Sequence, residues 1–287
     1  MAPIPSGWPG QGTMLSRFEK EAIVVEQLDF DRIDFHVHTI ESPSPGAIPL
    51  DELIREAQER GLLCIALTDH WKEDTDPAVF SEERRLIEGS SSNLKIYLSA
   101  EVEILDEQAS SPVDSKAHRD VLEKMDYLSA APHLGEFLPE IRRRELPGDR
   151  AGFVEYVHRK MMNILRSDLL TLVLHPDYGV SDGARWGLCS SPSMENVPER
   201  WLDEFAEAAA FYSKAIEINE NVVSSVEGYE VLVEKLLKAG TKLVVGSDYH
   251  PEYRDRYWPG RTRKAAEVIR RCGGDRRSLW LPGRRLP

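Results

Sequence analysis

The sequence predicts one α/β barrel, because short apolar strands alternate with amphipathic helices along most of the chain. Apolar runs such as residues 172–174 and 243–245 are typical of strands buried on both faces of a parallel sheet. The length of 287 residues, of which 41% are hydrophobic, is enough for one large barrel or two small domains. One barrel is the simpler interpretation.

Seven β/α units follow one another in this pattern. Each strand is a short apolar run, and each following segment has apolar residues at helical spacing. The predicted strands comprise residues 33–37, 64–68, 96–102, 127–131, 170–174, 215–218 and 243–246. The predicted helices comprise residues 50–60, 81–88, 116–124, 153–166, 200–212, 226–238 and 262–271. If these units close on themselves, the loops that follow the strands gather at one rim, where barrels place their functional residues.

Composition disfavours several classes of partner. The formal net charge of −13 argues against a broad basic surface for long nucleic acid, so a small substrate is expected. Cys64, Cys189 and Cys272 are few and widely spaced, which favours a reducing compartment over a disulfide framework. Residues 1–12 lack the basic and apolar stretches of a signal peptide, and no membrane span is predicted. The protein is therefore expected to be soluble and cytoplasmic, and its oligomeric state stays open.

Potential metal ligands cluster at the ends of the predicted strands. Six of the eight histidines lie there with two aspartates and one glutamate: His36, His38, Asp69, His70, Glu101, His133, His175, Asp248 and His250. A His-x-His pair places two imidazoles on one side of a strand, because side chains alternate with a period of two. A single histidine at a strand end is more often a cap or a core residue, but the set together predicts a multinuclear metal site. His118 and His158 fall in predicted helices and are expected to be solvated.

Six segments carry a family resemblance. Residues 34–39 (DFHVHT), 66–70 (ALTDH) and 246–250 (GSDYH) resemble motifs of the PHP (polymerase and histidinol phosphatase) family. Residues 99–105 (SAEVEIL), 131–133 (APH) and 174–176 (LHP) are similar to its intermediate motifs. The resemblance spans about residues 31–273, which would be the barrel domain, flanked by an N-terminal extension (1–30) and a C-terminal tail (274–287). It implies a single-domain, distorted seven-stranded (β/α)7 TIM-like barrel that holds two or three divalent ions (zinc, manganese or iron) and hydrolyses phosphate esters.

The resemblance also implies which residues bind each ion. One ion would be held by residues of the first, third and last motifs, namely His36, His38, Glu101 and Asp248. A second ion would share Glu101 as a bridge and would be completed by two histidines, His133 and His175. The remaining two histidines, His70 and His250, would belong to a third ion.

Some positions keep alternatives. Glu103 has the same strand parity as Glu101 and is the rival bridge, although the motif aligns on Glu101. Asp69 is expected to orient a neighbouring ligand, because a metal-bound imidazole usually donates its other N–H to an acceptor. Residues 217–220 (EINE) are expected to supply outer contacts or to bind substrate. Many relatives carry an acidic residue or histidine shortly after His-x-His, whereas only Glu41 or Ser44 could substitute here, so the choice between two and three ions stays open.

This ligand set predicts a reaction. Two ions about 3.5–4 Å apart can share a water and lower its pKa, so a metal-bridging hydroxide is expected to attack the phosphorus of a small phosphomonoester or short nucleotide. Asp69 and His250 are the candidate catalytic residues. The leaving oxygen needs a proton or charge neutralisation, which His250, His70 or a third ion can supply. Candidate phosphate-binding residues are the arginines of the long loops and the last motif: Arg142, Arg185 and Arg261. Each arginine alone is more often a solvated surface residue.

Two other functions stay open. Amidohydrolase-type C–N hydrolases use a similar barrel, but they typically bridge their metals with a lysine after the fourth strand, where this chain has residues 130–133 (AAPH). A non-catalytic metal-binding regulatory module is the other alternative, and the nearly complete ligand set disfavours it.

Overall fold

The computed structural model describes residues 28–39, 49–134, 146–253 and 256–283. Within them, parallel strands alternate with helices, as the sequence pattern predicts. The strands are β1 (Ile33–Val37), β2 (Cys64–Leu67), β3 (His70–Trp71), β4 (Lys95–Leu98), β5 (Glu101–Glu103), β6 (Ser129–Ala131), β7 (Leu172–Val173), β8 (Ala215–Asn219) and β9 (Lys242–Gly246). The helices are α1 (Leu50–Glu59), α2 (Ala78–Gly89), α3 (Arg119–Leu122), α4 (Arg150–Arg166), α5 (Val180–Arg185), α6 (Glu199–Phe211), α7 (Glu220–Ser225), α8 (Glu230–Ala239) and α9 (Arg263–Arg271).

The strands form two parallel sheets, ordered β1-β2-β4 and β3-β5-β6-β7-β8-β9. The strand predicted at 64–68 ends at Leu67 and is followed by the separate short strand β3, and the strand predicted at 96–102 is divided into β4 and β5. Each of these two β/α units therefore contributes one segment to each sheet. The first and last strands approach each other through a parallel bridge between Val37 and Tyr249, in which the His38 amide donates to the Tyr249 carbonyl at 2.9 Å. The carboxyl ends of the strands therefore converge on one side of the molecule.

An aromatic cluster packs beneath the first strand. Phe35 is fully buried, and its ring lies 5.7 Å from Tyr97, 6.3 Å from Tyr127 and 6.0 Å from Trp280, measured between centroids. Burying a side chain of this size stabilises the fold by roughly 2–3 kcal/mol. The described part of the C-terminal tail contacts the barrel here, because the Trp280 amide donates to the Leu243 carbonyl at 2.9 Å.

The expectation that His158 is solvated was wrong. His158 lies on the face of α4 that packs against α6 and is 8% exposed. Its ring stacks on Trp201 with centroids 4.6 Å apart, and its Nε2 lies 3.1 Å from Glu204 Oε2. A polar residue type on a helix predicts exposure to water, but this ring buries a flat apolar face while its nitrogen lies beside a carboxylate.

Two predicted helices also differ in extent. The segment predicted at 116–124 forms only the single turn of α3, and the helix predicted from residue 226 begins at Glu230, after the separate helix α7. Within the described segments, no helix combines the length and the apolar character that crossing a bilayer requires.

Candidate metal centre

Glu101 lies at the centre of the candidate site, at the start of β5, and is 1% exposed. Its Oε1 lies 2.9 Å from His175 Nε2 and 3.3 Å from His133 Nε2. Its Oε2 lies 2.7 Å from His70 Nδ1 and 3.4 Å from His38 Nε2. Burial opposes ionisation of this carboxyl, but the neighbouring imidazoles, His70 foremost, hold the pKa of Glu101 well below its usual value. One carboxylate thus joins imidazoles from four parts of the chain.

Asp248 lies close to a second group of imidazoles. Its Oδ1 lies 3.3 Å from His36 Nε2, 3.6 Å from His38 Nε2 and 3.2 Å from His250 Nε2. The backbone of Asp248 is left-handed, with φ at 53°, a conformation that costs energy in a residue other than glycine and that aspartate tolerates better than most. The turn after β9 therefore holds this carboxylate in a strained position that faces the first strand.

The donor atoms of these residues fit divalent ions. Three groups each have donor atoms within 4.8 Å of one another: His38, His70 and His250; His36, His38 and Asp248; His36, Glu101 and His175. The buried Nε2 atoms of His36 and His38 face each other at 3.2 Å, as two ligands of one ion would. Burial alone would lower the pKa of His36, but Glu217, Asp248 and Glu101 raise it well above its usual value, so the cluster favours added positive charge. Imidazole and carboxylate donors without thiolates suit zinc, manganese or iron.

A carboxylate of β8 orients two of the histidines. Glu217 is fully buried, and its oxygens lie 3.1 and 3.2 Å from His36 Nδ1. Glu217 also accepts hydrogen bonds from the His175 amide at 2.6 Å and from Asn219 Nδ2 at 2.9 Å. An N–H at His36 Nδ1 that donates to Glu217 leaves the lone pair of Nε2 directed at the centre, which is the arrangement that a metal-bound imidazole needs.

Glu103 and Asp69 contact the outer nitrogens of two other histidines. Glu103 Oε2 lies 3.0 Å from His133 Nδ1, so this carboxylate faces the side of the ring that is turned away from Glu101. Asp69 Oδ1 lies 3.5 Å from His38 Nδ1, and the same carboxylate accepts hydrogen bonds from the amide and hydroxyl of Thr39. Glu101 occupies the central position between the imidazoles, and Glu103 does not.

Two residues whose roles the sequence analysis missed hold this arrangement together. Asp34 is buried and accepts hydrogen bonds from the Ser247 hydroxyl at 2.6 Å, the Ser247 amide at 3.0 Å and the Gly260 amide at 2.6 Å. Burial raises the pKa of Asp34 to about 6. A Cβ at Gly246 would lie only 1.9 Å from Glu217 Oε1, so a glycine is needed there for space. The signal for Asp34 was present in the sequence, because it shares strand parity with His36 and His38.

The predicted phosphate-binding arginines have different environments. Arg142 lies outside the described residues, as do Glu41 and Ser44. The side chain of Arg185 is 61% exposed at the end of α5, with its Nη1 3.5 Å from Asp182 Oδ1. Arg261 is half-buried; its Nη1 donates to Asn221 Oδ1 at 2.8 Å and its guanidinium lies 4.6 Å from the centre of the Tyr257 ring.

Comparisons with known proteins agree with the fold and the motifs. The sequence profile of the PHP domain matches residues 34–221. The structure is similar to histidinol phosphate phosphatase from Lactococcus lactis in complex with zinc, L-histidinol and phosphate, with a TM-score of 0.59 and 18% identity over 86% of this chain and 95% of that one. It is also similar to a candidate histidinol phosphatase from Listeria monocytogenes, with a TM-score of 0.58 and 14% identity over 75% and 94% of the two chains. No curated protein has a significant sequence match. The predicted TIM-like α/β fold is confirmed.

Proposed function

This chain belongs to the PHP domain family, and from that premise we propose that it is a metal-dependent phosphoesterase acting on small phosphorylated substrates. The observation that carries the proposal is the convergence of imidazole nitrogens on Glu101, with Asp248 closing the other side of the cluster. This arrangement supports a site for at least a metal pair, which is what phosphoester hydrolysis by activated water requires.

Each residue of the cluster has a proposed role. One ion would be held by His36, His38, Glu101 and Asp248. A second ion would share Glu101 and be completed by His133 and His175. His70 and His250 would contribute to a third ion, if one binds. When bound, the ions would supply a water nucleophile of lowered pKa and would neutralise the charge of the phosphate.

Two side chains of the protein would orient a metal ligand and protonate the leaving oxygen. Asp69 contacts the outer nitrogen of His38 and would act by orienting that ligand. His250 is at the partly exposed edge of the cluster, with 19% of its side chain exposed, and would protonate the leaving oxygen if only two ions bind. Asp248 is 26% exposed whereas His36 and His38 are fully buried, so the cluster is reached from the Asp248 side.

The proposed substrate is a small phosphomonoester or a short nucleotide. Arg261 is the best placed of the three candidate arginines, because Asn221 and Tyr257 hold its guanidinium beside the last motif. We propose Arg185 and Arg142 as further phosphate contacts. The similar protein from Lactococcus lactis was solved with L-histidinol and phosphate, which supports a compact phosphorylated substrate here.

The test combines metal content with phosphate release. Wild-type protein should carry at least two divalent ions and release phosphate from one or more members of a panel of phosphomonoesters and nucleotides, with added manganese or zinc. His36→Ala should abolish that release, whereas His118→Ala should retain it, because His118 lies outside the cluster. Full metal occupancy with turnover of amides or cyclic ureides, and none of esters, would reject the proposal in favour of C–N hydrolysis. Full occupancy with no turnover would favour a regulatory module.

A further inference from the structure

Lys160 is a fully buried lysine on α4. Its ammonium group donates a hydrogen bond to the His133 carbonyl at 2.6 Å. Removing an ammonium from water is costly unless hydrogen bonds and opposite charges compensate. Burial lowers the pKa of this ammonium to about 8, an effect that the carboxylates of Glu103, Asp106 and Asp182 oppose. A buried charge maintained in this way, beside a candidate metal ligand, requires an explanation beyond packing.

His133 lies beyond the last paired residue of β6, and side chains of α4 and β5 contact it. The ladder between β5 and β6 ends at Ala131, two residues before His133. Lys160 holds the main-chain carbonyl of His133, while Glu103 holds the ring at Nδ1 with a separation of 3.0 Å. With the main chain and one ring nitrogen both fixed, His133 Nε2 faces Glu101 Oε1 at 3.3 Å.

We propose that Lys160 is a positioning residue of the metal centre, which fixes the main chain of His133 and supports the Glu103 carboxylate that orients the same imidazole. This inference rests on the proposed metal centre. A purely structural lysine would stabilise the fold without affecting how tightly an ion binds. A measurement of metal affinity without substrate therefore distinguishes the positioning role from a purely structural one.

Lys214 provides a matched control. Its ammonium also donates to main-chain carbonyls, those of Ser167 and Leu170, both at 2.6 Å. These carbonyls precede β7 and belong to no candidate metal ligand. Replacing either lysine with methionine removes one ammonium and its hydrogen bonds while retaining an unbranched side chain.

The experiment measures zinc affinity of the full chain by competition with a chelator. Lys160→Met should bind one zinc ion at least about 10-fold more weakly than wild type, the size of effect typical for removing an outer contact of a ligand. Lys214→Met should bind zinc as wild type does. In the background of His133→Ala, Lys160→Met should cause no further loss, because both changes act on the same ligand. Wild-type affinity in Lys160→Met, or losses that add in the double variant, would overturn the proposal.

Two provisions keep the result decisive. If Lys160→Met does not fold, Lys160→Gln retains an uncharged N–H donor one bond shorter, and it should also weaken zinc binding; unchanged affinity in that variant overturns the proposal equally. A wild-type protein that binds zinc but releases no phosphate would reject the proposed function alone. Unchanged zinc affinity in the Lys160 variants would reject the positioning role alone.

Discussion

Replacing Gly246 with alanine should disrupt the metal centre by displacing the side chains that pack against Gly246. The added Cβ would lie 1.9 Å from Glu217 Oε1 and 2.6 Å from His36 Cβ, so at least one of these groups must move. Glu217 cannot move without losing its contacts to His36, the His175 amide and Asn219. Overpacking of a close-packed interior costs about 1–3 kcal/mol, and these constraints place Gly246→Ala at the upper end, near 3 kcal/mol. Displacing Glu217 should also weaken zinc binding about 10-fold or more.

Urea unfolding in the presence of chelator measures the stability effect of Gly246→Ala, and a competition titration measures its zinc affinity. Gly89→Ala is the matched control, because a Cβ at Gly89 meets no atom within 4 Å and its backbone is not left-handed. That control should change stability by less than about 1 kcal/mol and leave zinc affinity unchanged. A Gly246→Ala protein with the urea midpoint and zinc affinity of wild type would refute the argument that Gly246 makes room for Glu217.

Three further predictions concern groups around the centre. Glu217→Gln should lower zinc affinity about 10–100-fold, because one amide oxygen cannot accept from the three donors that the carboxylate serves; wild-type affinity in a chelator competition would contradict this. Arg84→Met should lower the free energy of unfolding, measured in urea, by about 3 kcal/mol, because the substitution leaves a largely buried Asp126 without its ion pair. Zinc affinity should be unchanged. A loss below about 1 kcal/mol would contradict this prediction. Burial, opposed by Glu204, lowers the pKa of His158. The folded state therefore binds a proton less readily than the unfolded chain does, and the free energy of unfolding of wild type should decrease as the pH falls below about 6.5. His158→Gln should lose less between pH 8 and pH 5, and equal losses in urea midpoint would show that this histidine does not contribute.

Strand parity made the inner ligands predictable. His36 and His38 had to share one side of β1, and the carboxyl ends of parallel strands had to meet at one rim. The structure brings these histidines together with Glu101 and Asp248, which lie far apart in sequence. What parity cannot give is the position of a side chain along the strand axis, or which polar residues stand behind the ligands.

The outer carboxylates were harder to predict, because their role depends on register between strands. Glu217 faces His36 only since β8 lies beside β9 and Gly246 leaves space between the two side chains. The burial of His158 was not predictable for a related reason, because a polar residue type does not reveal that its ring stacks on Trp201. The arginines of the long loops depend even less on local pattern, because no periodicity directs a loop side chain towards a site.

The choice of the bridging carboxylate between Glu101 and Glu103 depends on the structure and not on the sequence pattern. Both residues lie on the same face of β5, so parity alone leaves either as the bridge. Glu101 pairs with His70 of β3 and with Ser129 of β6, whereas Glu103 pairs with Ala131 of β6. The oxygens of Glu101 lie 2.7 to 3.4 Å from four imidazoles, whereas Glu103 Oε2 lies 3.0 Å from the outer nitrogen of His133. From these contacts and this register we propose Glu101 as the bridge and Glu103 as the residue that orients His133.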